Sequence, residues 1–244
     1  MNSELSRQVV IGDVHGHYQG LMALLSLLKV EPCDHLYFLG DLIDRGPESA
    51  QVVDWVMERA DVCLMGNHEQ LMLESLGSAQ PNHPLLQMWL GCGGQATLDS
   101  YQSVEQLQSH LEWVKSLPTW LDLGHAWLVH AGIHPSMPIS QQTANEFCWI
   151  RDRFHRMRQP YFPNKLIVTG HTITFTFPGV APGDLVQGRG WIDIETGAYH
   201  PKSGWLTALD LTHNQVYQVN VWDQSSRIRP LLEAVVQLDP NRLE

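Results

Sequence analysis

Three times in the first third of the chain, a short apolar run ends in glycine and meets a metal-competent polar side chain. The pairs are Gly12-Asp13, Gly40-Asp41 and Gly66-Asn67. The runs before them, Gln8-Val9-Val10-Ile11, His35-Leu36-Tyr37-Phe38-Leu39 and Asp61-Val62-Cys63-Leu64-Met65, have the length and composition of strands. Between them Leu21, Leu24, Leu25 and Leu28, then Val52, Val53, Val56 and Met57, recur at helical spacing. A β-α-β-α-β series of this kind builds a parallel sheet with right-handed crossovers. Ligands of such sheets gather just beyond the carboxyl ends of the strands, where Asp13, Asp41 and Asn67 fall.

The pattern changes further on. Residues 69–118 read as helical, with an interruption at Gly91-Cys92-Gly93-Gly94. No Gly-Lys-Ser/Thr follows these glycines, so they are not a nucleotide-phosphate loop. Strands resume at Ala126-Trp127-Leu128-Val129 before His130, and at Leu166-Ile167-Val168 before His171. Residues 191–194, 205–211 and 216–221 are further strands, with a His213-Asn214 turn that suggests antiparallel pairing. Residues 174–189, with Pro178 and Pro182, read as an extended loop, and the chain after Arg229 as a helix or a loose end. One domain over residues 1–244 is expected, because the candidate site residues come from both halves.

Composition excludes several classes. A formal charge of −11 argues against a general grip on nucleic acid or on an anionic membrane. It leaves a phosphate substrate open, since bound divalent cations reverse the local field. Neither a signal peptide nor a membrane span is legible. The four cysteines lack any C-x-x-C pair, which fits reduced thiols in a cytoplasmic protein. The nine tryptophans are expected mostly in the core, with Trp149 placed to shape the groove near Arg151.

Five segments carry the candidate chemistry. They are Gly12-Asp13-Val14-His15-Gly16, Gly40-Asp41-Leu42-Ile43-Asp44-Arg45-Gly46, Gly66-Asn67-His68-Glu69, His130-Ala131-Gly132 and Gly170-His171-Thr172. Each alone has an ordinary explanation as a turn or a surface histidine. Five in this order, each after a strand, are hard to explain that way. In type and order they resemble the motifs of the calcineurin-like metallophosphoesterases, and among these the bacterial and phage serine/threonine protein phosphatases. Trp149-Ile150-Arg151-Asp152 is similar to the segment that carries a phosphate-binding arginine in that family, and Ile194-Glu195-Thr196-Gly197-Ala198 to its late strand-turn signature. Residues 89–101 resemble the family's helical wall beside the substrate groove, although a plain turn explains them equally well.

The resemblance implies an αββα sandwich, two mixed sheets flanked by helices. It also implies two divalent ions, with manganese first and iron or zinc equally compatible with the donors. Asp13 and His15 would hold one ion, Asn67, His130 and His171 the other, and Asp41 would bridge both. Such a pair, about 3.5–4 Å apart, polarises a phosphoryl group, and metal-bound hydroxide attacks it directly. His68 follows a ligand directly and is suited to protonate the leaving oxygen, with Asp44 orienting its ring. Arg45 and Arg151 are suited to fork-like bonding of phosphate oxygens. The expected substrate is phosphoserine or phosphothreonine in protein. A dinucleoside polyphosphate such as diadenosine tetraphosphate is the alternative, a small phosphoester a further one, and an inactive binding scaffold the least favoured. In the symmetrical tetraphosphatases the position of Asp44 is usually alanine and that of Glu69 aspartate, so both residues here favour the protein phosphatases. Residues 134–142 and 174–189 are expected to shape substrate entry.

Overall fold

The computed structural model describes residues 6–77 and 83–243. Its first sheet grows from β1 (Gln8–Ile11), which pairs in parallel with β2 (His35–Phe38), which in turn pairs with β3 (Val62–Cys63). Helix α1 (Tyr18–Leu28) connects β1 to β2, and α2 (Ser49–Arg59) connects β2 to β3. Three further helices follow β3: α3 (Asn67–Leu76), α4 (His83–Trp89) and, after a wide turn at Leu90–Gly94, α5 (Gln95–Ser100). Then α6 (Val104–Lys115) leads to the second sheet.

That sheet contains β4 (Trp120–Asp122), β5 (Ala126–Val129), β6 (Leu166–Thr169), β7 (Leu185–Gly188) and β8 (Trp191–Asp193). Helices α7 (Ala144–Trp149) and α8 (Asp152–His155) lie between β5 and β6. The chain then returns to the first sheet through β9 (Trp205–Asp210), β10 (Gln215–Asn220) and β11 (Ser226–Pro230). The short helix α9 (Leu231–Ala234) precedes β12 (Val235–Gln237). The strand orders are β11-β10-β9-β1-β2-β3 and β12-β7-β8-β6-β5-β4. Both sheets are mixed: β1 meets β9 in antiparallel register, while β5, β6 and β8 run parallel.

The continuous apolar runs are explained by burial on both faces of each strand. Successive side chains point to opposite faces. Thus Val10, Tyr37 and Leu64 join Leu128, Val168 and Ile192 in a core between the sheets. Val9, Ile11, Leu36 and Phe38 pack outward with Leu21, Leu24, Val52 and Val56 of the flanking helices. The result is the expected two-sheet, helix-flanked sandwich.

Two segments differ from the sequence reading. Residues 174–189 contain the helical turn Thr174–Thr176 and the paired strand β7. After Arg229 the chain forms both a helical turn and β12, which pairs in parallel with β7. Both strands are short, and neither alternates apolar and polar residues, so only their partners define them. Of the tryptophans, Trp89, Trp127 and Trp191 are buried and Trp55 and Trp113 pack against the core, whereas Trp120, Trp149 and Trp222 are exposed. Among the described residues, no helix is long and apolar enough to cross a membrane.

Candidate metal centre

The carboxyl ends of β1, β2 and β3 meet those of β5 and β6 from the other sheet. The loop after β1 is sewn to the loop after β2: the amides of Val14 and His15 both donate to Asp41 O, at 3.0 and 2.9 Å. Within the second sheet, Gly170 N donates to His130 O at 2.8 Å, and across the sheets His171 N donates to Asp13 Oδ2 at 3.1 Å. Glycine before a polar group is a consequence of this crowding. A Cβ on Gly40, whose φ is +99°, would stand 2.5 Å from Gly66 N, so the second and third loops touch only because both positions lack side chains.

The site residues themselves are held in unusual conformations. His15, Asp41, Asp44, Arg45 and His171 all have positive φ, between 47 and 72°. Backbone strain of this kind costs on the order of 1–3 kcal/mol per residue and persists where surrounding bonds over-determine it. Glu69 supplies part of that restraint. Its buried carboxylate accepts the amides of Asp41 at 2.8 Å, Leu42 at 2.8 Å and Gly66 at 3.1 Å. Burial, then the Asp41 charge, push its pKa up to about 7 despite those amides.

Every residue singled out from the sequence lies at this one place. Asp13, His15, Asp41, Arg45, Asn67, His68, Arg151 and His171 line a pocket of about 210 Å³. His130 and Asp44 are fully buried directly behind it. Asp41 is central: its carboxylate lies 3.7 Å from His15 Nε2, 3.5 Å from His130 Nε2 and 3.9 Å from His68 Nε2. His15, Asp41 and His68 form one group whose donor atoms could hold a cation; Asp41, His130 and His171 form another.

The donor chemistry fits cations. His15 Nδ1 contacts Ile43 O and His130 Nδ1 contacts Leu39 O, both at 2.9 Å. A carbonyl only accepts, so each Nδ1 carries the proton and each Nε2 presents a lone pair inward. His130 Nε2 then faces Asn67 Oδ1 at 3.0 Å, and His171 Nδ1 faces the same oxygen at 2.8 Å. Burial holds the pKa of His15, His130 and His171 below the usual histidine value. Neutral imidazole lone pairs and an amide oxygen thus converge beside the carboxylate of Asp41, an arrangement that a divalent cation satisfies.

His68 departs from the other three. Burial alone would lower its pKa, but the charges of Asp41 and Asp44 outweigh it and raise it. Its Nδ1 lies 2.5 Å from Asp44 Oδ2. The ring therefore favours carrying a proton on the nitrogen that faces the pocket. Around it, Arg45 Nη1 donates to His15 Nε2 at 2.7 Å, and the guanidinium stacks 3.8 Å above the ring of Tyr199. Arg151 Nη1 donates to Thr172 Oγ1 at 2.9 Å, so it is turned toward the site rather than toward Asp152. Of the loops expected at the entrance, residues 174–189 contribute Thr176, next to Ile173, to the lining. Gln142 instead ties the other loop back on itself through His134 and Met137.

Sequence reasoning did not single out Tyr199, Trp89 or Thr97, cited Glu195 only as part of a motif, and used Glu69 to separate two kinds of relative without foreseeing its structural role. Glu195 lines the pocket, and burial pushes its pKa up to about 8. Tyr199 directly follows the 194–198 segment, and Trp89 and Thr97 flank the glycine-rich turn; those positions were the available signal.

Comparison with known proteins gives one family and two kinds of named activity. Residues 6–186 match the calcineurin-like phosphoesterase family. Serine/threonine-protein phosphatase 2 of Escherichia coli is 31% identical over 160 residues, 60% of this chain and 69% of that protein. The symmetrical bis(5'-nucleosyl)-tetraphosphatase of Chromobacterium violaceum is 30% identical over 138 residues, 54% of this chain. The chain spans only 45% of that tetraphosphatase. A crystal structure provisionally assigned as a diadenosine tetraphosphatase superposes with a TM-score of 0.65 at 19% identity, covering 91% of this chain and 97% of that one. At that identity it shows the shared fold.

Proposed function

The chain belongs to the calcineurin-like phosphoesterase family, and from that premise we propose that it hydrolyses phosphomonoesters of alcohols, with phosphoserine or phosphothreonine in protein as substrate. Asp13 and His15 would hold one divalent cation and Asn67, His130 and His171 a second, with Asp41 between them. Manganese is our first choice, and iron or zinc suit the same donors. When bound, such cations supply Lewis-acid charge to the phosphoryl group and acidify water.

The protein's own side chains account for the remaining steps. Arg45 and Arg151 bond phosphoryl oxygens and align the phosphorus. A new bond forms between water oxygen and phosphorus, the ester P–O bond breaks, and the proton of His68 Nε2 passes to the departing alkoxide. Asp44 holds the ring through Nδ1 and stabilises its charged form. The observation that carries this reading is the 2.5 Å His68–Asp44 pair, with His68 raised in pKa while its neighbours are lowered. A serine alkoxide is a poor leaving group and needs that proton. A polyphosphate leaving group is already a stabilised anion and needs it far less.

The second reading is cleavage of a dinucleoside tetraphosphate, favoured by the match to the Chromobacterium enzyme. Manganese-dependent rates on a phosphoserine peptide, p-nitrophenyl phosphate and diadenosine tetraphosphate separate the two. A higher kcat/KM on the peptide than on the dinucleotide is expected. The reverse order would overturn the first reading.

A further inference from the structure

Asp44 is held by more than His68. Its carboxylate also accepts the indole N–H of Trp89, 2.9 Å from Oδ2 and 3.1 Å from Oδ1. The hydroxyl of Thr97 lies 2.6 Å from Oδ1, and the same hydroxyl accepts the amide of Asp44 at 2.8 Å. Both residues are fully buried. Trp89 ends α4 and Thr97 lies in α5, so the two donors reach Asp44 from either side of the Leu90–Gly94 turn. That turn contacts the next residue as well: Gly93 O accepts the amide of Arg45 at 3.2 Å.

These contacts have a directional consequence. A carboxylate bonded by one imidazole alone can rotate about its Cβ–Cγ bond and exchange its oxygens. With Thr97 on Oδ1 and Trp89 spanning both oxygens, Oδ2 is the oxygen left facing His68. Ring orientation about Nδ1 then fixes where Nε2 points, toward the leaving oxygen. A displacement of about 1 Å at such a donor costs on the order of a hundredfold in rate.

We propose that Trp89 and Thr97 are positioning residues for proton donation, locking the Asp44 carboxylate so that His68 Nε2 faces the leaving oxygen. The proposal rests on the phosphomonoesterase reading above. It places catalytic consequences in the helical segment 83–100, which touches no substrate in this reading and acts through Asp44.

The test uses two esters that differ in their need for a proton. Phosphoserine peptide releases an alkoxide that must be protonated, whereas p-nitrophenyl phosphate releases a stable phenolate. Wild type, His68→Asn, Thr97→Val, Thr97→Ser and Trp89→Phe are assayed on both with manganese, and their Tm is recorded. In Thr97→Val, kcat on the peptide should fall at least about tenfold further than kcat on the aryl ester. KM on either should stay within about threefold, as expected when an interaction realised in the transition state is removed. Thr97→Ser keeps the hydroxyl and should restore the wild-type ratio of the two rates. Trp89→Phe should shift the ratio in the same direction, and supplies the readout if Thr97→Val does not fold. Equal loss on both esters, or an unchanged ratio, would overturn the proposal and leave only a structural role. Failure of the underlying reading looks different. Wild type would then hydrolyse neither ester, or His68→Asn would lose both equally.

Discussion

Four histidines meet within a few ångströms of Asp41, and their surroundings divide the work. His15 and His130 have Nδ1 tied to backbone carbonyls, which turns the lone pairs of Nε2 inward. His68 has a carboxylate in that place, and it alone among the four is raised in pKa. Replacing His68 by Asn should therefore lower kcat on a phosphopeptide by roughly a hundredfold with little change in KM. Steady-state kinetics checks this, and unchanged turnover would remove the acid role. Arg45→Ala should act mainly on binding, raising KM by about tenfold or more, because the fork it offers to phosphate oxygens is lost. A changed kcat at constant KM would contradict that. The sequence made Asp13, Asp41 and Asn67 legible through their glycine-ended strands. His130 and His171 were legible only by resemblance, because a histidine after a strand has many uses. Tyr199, Trp89 and Thr97 were opaque: what they do depends on which loop folds against them.

Among elements, loop docking matters more than any one loop. Glu69 sits in the first turn of α3, yet its carboxylate holds the loops after β2 and β3 together through three backbone amides. Glu69→Ala leaves those buried donors without partners and should destabilise the protein by at least about 2 kcal/mol. Urea unfolding measures this, and a loss under about 0.5 kcal/mol, the range of a neutral surface change, would show that water replaces the carboxylate. The parallel strands of the first sheet could be read directly, since β1 to β3 are apolar after their first residue at most and separated by amphipathic helices. The short strands β7 and β12 could not, since three or four residues without alternation are specified by the strands they pair with. The 83–100 segment lies between these cases. Its helices were readable, and their grip on Asp44 and Arg45 was not.

At the scale of the molecule, buried acid groups link metal binding to stability. Glu195 is raised to about 8 by burial, and His68 is raised above its ordinary value. Between pH 7 and 9 the metal-free folded chain thus retains protons that the unfolded chain has already released. Stability falls with rising pH wherever the folded state binds more protons. Urea midpoints of the metal-free protein should therefore decrease from pH 7 to 9, and a flat or rising profile would contradict the burial of these groups. A cation that binds only the folded state adds stability of about 2.7 kcal/mol at a hundred times its Kd. Addition of manganese should accordingly raise Tm and flatten the pH profile. The most direct test of the two-cation site is the number of manganese ions bound per chain, titrated calorimetrically while phosphatase activity is followed in the same samples. Two equivalents, with activity complete only at the second, are expected; saturation at one, or full activity without bound metal, would contradict the site built around Asp41.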